Sequence, residues 1–185
     1  MQGNVDQANP PMDRLILPEK IWRQLTEHAV RDLPNECLGM LAGLPDGRVC
    51  AAYEIVNAST NPHRFLSDPA SLCAAEKRRR SAGWHLLGFY HSHPHGRPIP
   101  SSIDTDPEVN FWLDGSTATV ILAVRSLNQF PAIAQALLTD PVATTESLTT
   151  SDSVTGILRG YYVEARAYRL FPHRWQLIPL SLGAD

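Results

Sequence analysis

His91-Ser92-His93 is the first stretch of this sequence whose residue types and spacing point to chemistry. Side chains alternate along an extended segment, so the two imidazoles project to one side and can bind one metal ion. Asp104 follows His93 by eleven positions, after a loop long enough to fold back, and its carboxylate offers a third ligand. Two imidazoles and one carboxylate leave a position open on a tetrahedral ion, as in catalytic zinc sites; a closed structural site needs a fourth protein ligand. Zinc in such a site lowers the pKa of a coordinated water to about 7 and makes hydroxide available at neutral pH. The seven histidines and three cysteines favour nitrogen and oxygen ligands over thiolates. A His-X-His pair alone is weak support, because many such pairs are ordinary surface or core histidines.

The elements that must position these residues can be read from periodicity. Leu86 to Tyr90 reads as a strand that delivers His91 and His93. Ser101-Ser102-Ile103-Asp104 reads as a capped start, and a short helix is expected from there to about Leu113. Upstream, Leu15 to Leu17 is a short strand. Glu19 to about Leu33 has helical spacing, with Ile21, Trp22, Leu25, Ala29 and Leu33 on the apolar face. Cys37 to Gly43 is apolar on both alternations, as a central strand is. Pro45-Asp46-Gly47 marks a turn into a second strand, Arg48 to Asn57. Asp68-Pro69 caps a helix to about Ala82, whose Lys77-Arg78-Arg79-Arg80 run reads as a solvated face. Thr117 to Val124 is a buried strand, and Tyr161 to Leu170 and Trp175 to Leu180 regain strand character, with Pro172-His173 at the turn between them. Helices interleaved with buried strands give an α/β class with a mixed sheet.

The remaining composition narrows the class. The chain has 185 residues, 43% hydrophobic and 19% charged, and a formal net charge of −3. That composition supports a sizeable core and carries no basic excess for nucleic acid or an anionic membrane. Cys37, Cys50 and Cys73 form no CxxC pair and no disulfide framework, which suits a reducing, cytoplasmic setting. Residues 1–13 read as a flexible polar tail without the pattern of a signal peptide. No apolar stretch approaches the roughly 20 residues of a membrane helix. Residues 14–185 then form a single domain, with an inserted loop at about 126–156, where Thr and Ser replace large apolar residues. Cys37 is expected to pack as a small apolar residue, and Trp84 and Trp112 to fill core.

Taken together, Glu36 in Pro34-Asn35-Glu36-Cys37-Leu38-Gly39, His91-Ser92-His93-Pro94, and Ser101-Ser102-Ile103-Asp104 resemble the JAMM (MPN+, Mov34/PAD-1) metalloproteases, of the stand-alone prokaryotic type. The family pattern is a distant Glu, then His-X-His, ten residues and an Asp, with Ser three positions before that Asp. Ten residues, Pro94 to Ile103, separate His93 from Asp104. Asn57, Phe65 to Pro69 and Gly88-Phe89-Tyr90 also look like the family, and the resemblance covers roughly Leu15 to Val124 and resumes near Tyr161. It implies a JAB/MPN-type, cytidine-deaminase-like fold, a mixed β-sheet flanked by helices. It implies His91, His93 and Asp104 as ligands of one zinc per chain, Glu36 as general acid/base and Ser101 as the residue that hydrogen-bonds the developing oxyanion. The implied activity is hydrolysis of a peptide or isopeptide bond at the C-terminal tail of a ubiquitin-like or sulfur-carrier protein. Asn57 to Ser67 and Ser126 to Gly156 are candidate walls for that tail. The alternatives are a non-catalytic MPN scaffold that binds partners, or a zinc hydrolase or deaminase for a small molecule. This sequence has no Pro-Cys-x-x-Cys segment of the kind that zinc deaminases use.

Overall fold

Leu15 and Leu17 are fully buried in strand β1 (Leu15–Pro18), and Pro18 passes the chain into helix α1 (Glu19–Arg31). The computed structural model describes residues 12–110, 112–129, 148–149 (backbone alone) and 152–184. Helix α1 buries Ile21, Trp22, Leu25 and Ala29, the face its 3.6-residue period predicts. It ends at Arg31, where the Asp32 N–H bonds the His28 carbonyl. Strand β2 (Leu38–Gly43) is buried at every position and forms a hairpin with β3 (Val49–Ile55). Helix α2 (Pro69–Ser81) begins as its sequence signals: the Asp68 carboxylate accepts the Ser71 N–H at 2.7 Å, and Pro69 takes the first helical position. The basic run on α2 is partly tied down, because Arg79 and Arg80 share Glu76 and Arg78 lies over the Tyr53 ring.

The remaining strands are β4 (His85–Pro94), β5 (Ala118–Ser126), β6 (Leu148–Thr149), β7 (Val154–Leu158), β8 (Tyr161–Phe171), β9 (Arg174–Ile178) and β10 (Leu180–Gly183). A single 3-10 turn, Leu127–Gln129, follows β5. The main sheet runs β3-β2-β4-β5-β8-β7-β6, with β9 paired to β8, and β1 and β10 form a separate parallel pair. Within the main sheet β4 and β5 are parallel and their neighbours antiparallel, so the sheet is mixed. One face packs on α1 through Leu41, Leu87, Tyr90, Val120 and Leu122. The other packs on α2 through Met40, Ala75, Leu86 and Phe89.

Strand β4 changes phase on its way to the histidines. Leu41 pairs with Gly88 and Ala42 with Leu86, which leaves Leu87 as an extra residue opposite β2. Such a bulge re-aims every side chain beyond it. Leu86 and Phe89 consequently share the α2 face, while Leu87 and Tyr90 share the α1 face. His91 and His93 continue the Phe89 alternation and lie on the α2 side. Gly88 lets β5 approach, since a Cβ there would fall 1.9 Å from the Ala118 carbonyl oxygen.

Two expectations are corrected, the helix after Asp104 and the burial of Trp112. Residues 101–113 form successive turns among the described residues, not a helix. Asp106 precedes Pro107, which disfavours helical backbone, and the Asp106 and Asn110 side chains bond the Glu108 and Trp112 N–H groups instead. Met12 is buried in the core and Asp13 pairs with Arg169, while the rest of the N-terminal segment lies outside the described residues. The Thr/Ser-rich segment yields to strand at Val154, because Val154 is fully buried against the α1 core; residues 130–147 and 150–151 lie outside the described residues. Trp84 packs against the α2 core as expected, but Trp112 is 57% exposed, its ring tilted on Phe89 at 5.7 Å.

Candidate metal centre

The parallel step from β4 to β5 puts the carboxyl end of β4 at the start of a long crossover, the place where open α/β sheets bind ligands. His91 and His93 occupy that end, and the crossover carries Asp104 back to them. The Nε2 atoms of His91 and His93 lie 3.1 Å apart. Asp104 Oδ1 is 3.3 Å from His91 Nε2, and Asp104 Oδ2 is 3.6 Å from His93 Nε2. Ligand atoms bonded at 2.0–2.1 Å to a tetrahedral zinc lie about 3.3 Å apart, so these spacings fit one ion. Among the described residues this is the one group of three or more His, Cys, Asp or Glu side chains convergent enough to hold a metal.

Each of the three side chains is oriented by a further contact. His93 Nδ1 is 3.0 Å from the Arg97 carbonyl, which can only accept, so Nδ1 carries the hydrogen and Nε2 keeps its lone pair. The Phe65 ring lies 4.8 Å from the His91 ring. Ser101 donates both its N–H (2.6 Å) and its hydroxyl (2.7 Å) to Asp104 Oδ2, and its hydroxyl oxygen accepts the Asp104 N–H at 3.3 Å. This reciprocal pair resembles a capping box built on a turn. The Asn110 amide holds the Asp104 carbonyl at 3.0 Å. The C-terminal hairpin braces the loop from outside: Tyr168 Oη donates to the Pro98 carbonyl at 2.5 Å, and the His173 N–H to the Thr105 carbonyl at 2.9 Å. Sequence reasoning missed Tyr168, because the strand that supplies it lies 70 residues from Pro98.

Glu36 sits one residue before the buried Cys37, at the mouth of β2. The Cys37 N–H bonds Ser92 Oγ at 2.9 Å and the Ser92 N–H bonds the Cys37 carbonyl at 3.0 Å. Pairing of β2 with β4 thus continues between the two histidines, and the Glu36 carboxyl feels the charges of His93 and Asp104. Burial pushes the Glu36 carboxyl up to about 7; His93 opposes that rise and the Asp104 charge adds to it. Burial also lowers the pKa of His91, despite the Asp104 carboxylate. At His93 burial is outweighed by Asp104, the Arg97 carbonyl and Glu36, and its pKa rises. Asp104 is buried too, yet the His91 charge and hydrogen bonds from His91, His93 and Ser101 hold it far below the ordinary carboxylate range. Cys37 packs as expected, and burial pushes its thiol up to about 12, which removes it as a nucleophile.

His95 is exposed, takes a positive φ of 60°, and donates its N–H to the Val124 carbonyl, outside the convergent group. Asp106 serves the turn at Glu108. His28 is buried against Tyr90 on the opposite face. A groove of about 740 Å³ lies between α2 and β4. It shares Leu72, Phe89 and Trp112 with a smaller crevice at His91 and Asp104.

A family profile described as prokaryotic homologs of the JAB domain matches residues 18–131, more than half of the chain. The chain belongs to this family. The JAB match contains Glu36, His91, His93, Ser101 and Asp104 and stops before the hairpin that carries Tyr168. A desampylase from Haloferax volcanii is 37% identical over 90 residues, 48% of this chain and 65% of that protein. A probable TtuB-protein conjugate cleaving protease from Thermus thermophilus is 32% identical over 114 residues, 58% of this chain and 76% of that protein. A solved structure from Desulfitobacterium hafniense shares the fold, with a TM-score of 0.62, 24% identity and coverage of 92% of this chain and 94% of that one. No helix among the described residues is long and apolar enough to cross a membrane.

Proposed function

We propose that this JAB-family chain is a zinc-dependent peptidase or isopeptidase that cuts at the C-terminal tail of a ubiquitin-like or sulfur-carrier protein. The observation that carries the reading is the convergence of His91, His93 and Asp104, with the Glu36 carboxyl within electrostatic reach of His93 and Asp104. The names of the two relatives, a desampylase and a conjugate cleaving protease, support the substrate class.

His91, His93 and Asp104 would hold the zinc, which would supply Lewis acidity and favour ionisation of water near pH 7. Glu36 takes the proton from the attacking water and passes it to the leaving amine, which breaks the C–N bond and releases a carboxylate and an amine. Ser101 orients Asp104 through Oδ2 at rest. Its hydroxyl then turns from the carboxylate to the oxyanion that develops on the substrate carbonyl. Phe65, in the Asn57 to Ser67 segment, packs on His91 and forms one wall of the path for the tail.

The test uses a ubiquitin-like protein joined through its terminal glycine to a lysine side chain, and a second form extended beyond that glycine. Zinc-loaded protein should cleave at the glycine carbonyl, a chelator should stop the reaction, and added zinc should restore it. One bound zinc per chain with no cleavage of either form would favour the non-catalytic partner-binding alternative.

A further inference from the structure

The side-chain amide of Asn57 has two N–H donors and two acceptor lone pairs, and all four are used. Nδ2 donates to the Glu36 carbonyl at 2.8 Å and to the Arg64 carbonyl at 3.2 Å. Oδ1 accepts the Ser59 N–H at 2.9 Å and the Leu66 N–H at 3.0 Å. These partners lie on separate stretches of chain: the lead into β2 and the two ends of the 58–66 loop. The loop is closed at its neck by the Ala58 N–H to the Leu66 carbonyl, 2.8 Å, and by a bridge between Asn57 and Ser67. It carries Phe65, whose ring packs on His91. Leu66 itself is 62% exposed, while the adjacent Phe65 packs against the α2-side cluster.

The other end of the same peptide unit is also fixed. The carbonyl of the Glu36–Cys37 peptide is held by Asn57, and its N–H by the hydroxyl of Ser92, between the two histidines. The peptide that sets the direction of the Glu36 side chain is therefore held from both sides. No other residue type makes the same four bonds from this position. Asp loses both donors and sets an oxygen against two carbonyls, Ser lacks the second donor, and Gln is longer by one methylene.

We propose that Asn57 is a positioning residue, which locks the Glu36 peptide and the Phe65 loop into one unit and so sets the Glu36 carboxylate relative to His91, His93 and Asp104. The inference rests on Glu36 as the acid/base and adds the residue that aims it. Misplacement of a reacting group by about 1 Å can cost on the order of 100-fold in rate. Asn57→Ala and Asn57→Asp are therefore expected to lose about 10- to 100-fold in kcat.

The test is a double-mutant cycle in kcat on the zinc-loaded protein, with Asn57→Ala, Glu36→Gln and the double variant. Zinc affinity is measured by chelator competition and amide hydrogen exchange is followed in parallel. Asn57→Ala should keep zinc affinity within about threefold, because none of the three ligands bonds to Asn57. It should speed exchange at the Ser59 and Leu66 amides and lower kcat, with no further loss in the Glu36→Gln background. Wild-type kcat in both Asn57 variants, a loss fully additive with Glu36→Gln, or a kcat loss that follows zinc loss would each overturn the proposal. Full turnover by Glu36→Gln would overturn the acid/base reading and any catalytic role for the clamp with it. The exchange rates at Ser59 and Leu66 would then still report whether the clamp exists, so the two failures are distinguishable.

Discussion

The Arg97 carbonyl, 3.0 Å from His93 Nδ1, settles which nitrogen of that ring faces Asp104. With Nδ1 protonated, Nε2 keeps its lone pair, and His91 Nε2 stands 3.1 Å from it. Glu36 sits in a different environment. Burial pushes its carboxyl up to about 7, and a dication held beside it would favour the ionised form. Glu36→Gln keeps the size of the side chain and removes its basicity, so turnover should fall by about 10²- to 10⁴-fold while zinc stays bound. Turnover near wild type in a variant with full zinc content would remove Glu36 from the chemistry. Cys37, with a fully buried thiol pushed up to about 12, should resist alkylation in the native protein, and activity should survive treatment with iodoacetamide. The spacing of these residues was legible in the sequence, because alternation along one strand fixes the side to which two histidines point. The contacts of Phe65 and Asn57 were not, because their partners come from stretches that only the fold brings together.

At the scale of elements, β4 and the crossover after it make the site. The extra residue at Leu87 decides which face receives His91 and His93, and no periodicity in the sequence marks it. Alternation placed the two histidines on one side without saying which side. The crossover was expected to hold a helix and holds turns, because Asp106-Pro107 and Asn110 satisfy backbone N–H groups locally. A loop without helical hydrogen bonds needs outside support, and β8 gives it through Tyr168. Tyr168→Phe keeps the ring packed but leaves the buried Pro98 carbonyl without its donor. Denaturant unfolding should show a loss of about 1–3 kcal/mol, and chelator competition a weaker zinc affinity by about tenfold. Unchanged affinity would show that the brace does not reach the ligands. Gly88→Ala should be far more damaging, since the new Cβ meets backbone in β5 and no side chain can move aside. A folded Gly88→Ala protein with wild-type melting would contradict the tight β4–β5 approach.

For the whole molecule, the mixed sheet separates two polar centres on its two faces. The group of His91, His93 and Asp104 lies on the α2 side, and His28 lies on the α1 side, between Tyr90 Oη at 2.8 Å and Asp32 at 3.1 Å. Burial lowers the His28 pKa below 6.5; Glu54 and Asp32 oppose the shift and Arg31 adds to it. As pH falls below 6.5 the unfolded chain takes up this proton before the folded one. His28 therefore contributes stability that is complete above pH 6.5 and is lost as pH falls towards the depressed folded value. Melting curves at pH 7.5 and 5.5 should show a smaller decrease for His28→Gln than for wild type, and equal decreases would contradict that assignment. The fold class was legible from interleaved helices and buried strands, whereas burial of Met12 was not, because a polar, proline-bearing flank hid a core residue. The account as a whole depends on one ion bound by three side chains. Metal analysis of the purified protein beside the His91→Ala/His93→Ala double variant tests this most directly. About one zinc per chain in the wild type and none in the folded double variant is the predicted result, and equal zinc in both would contradict the account.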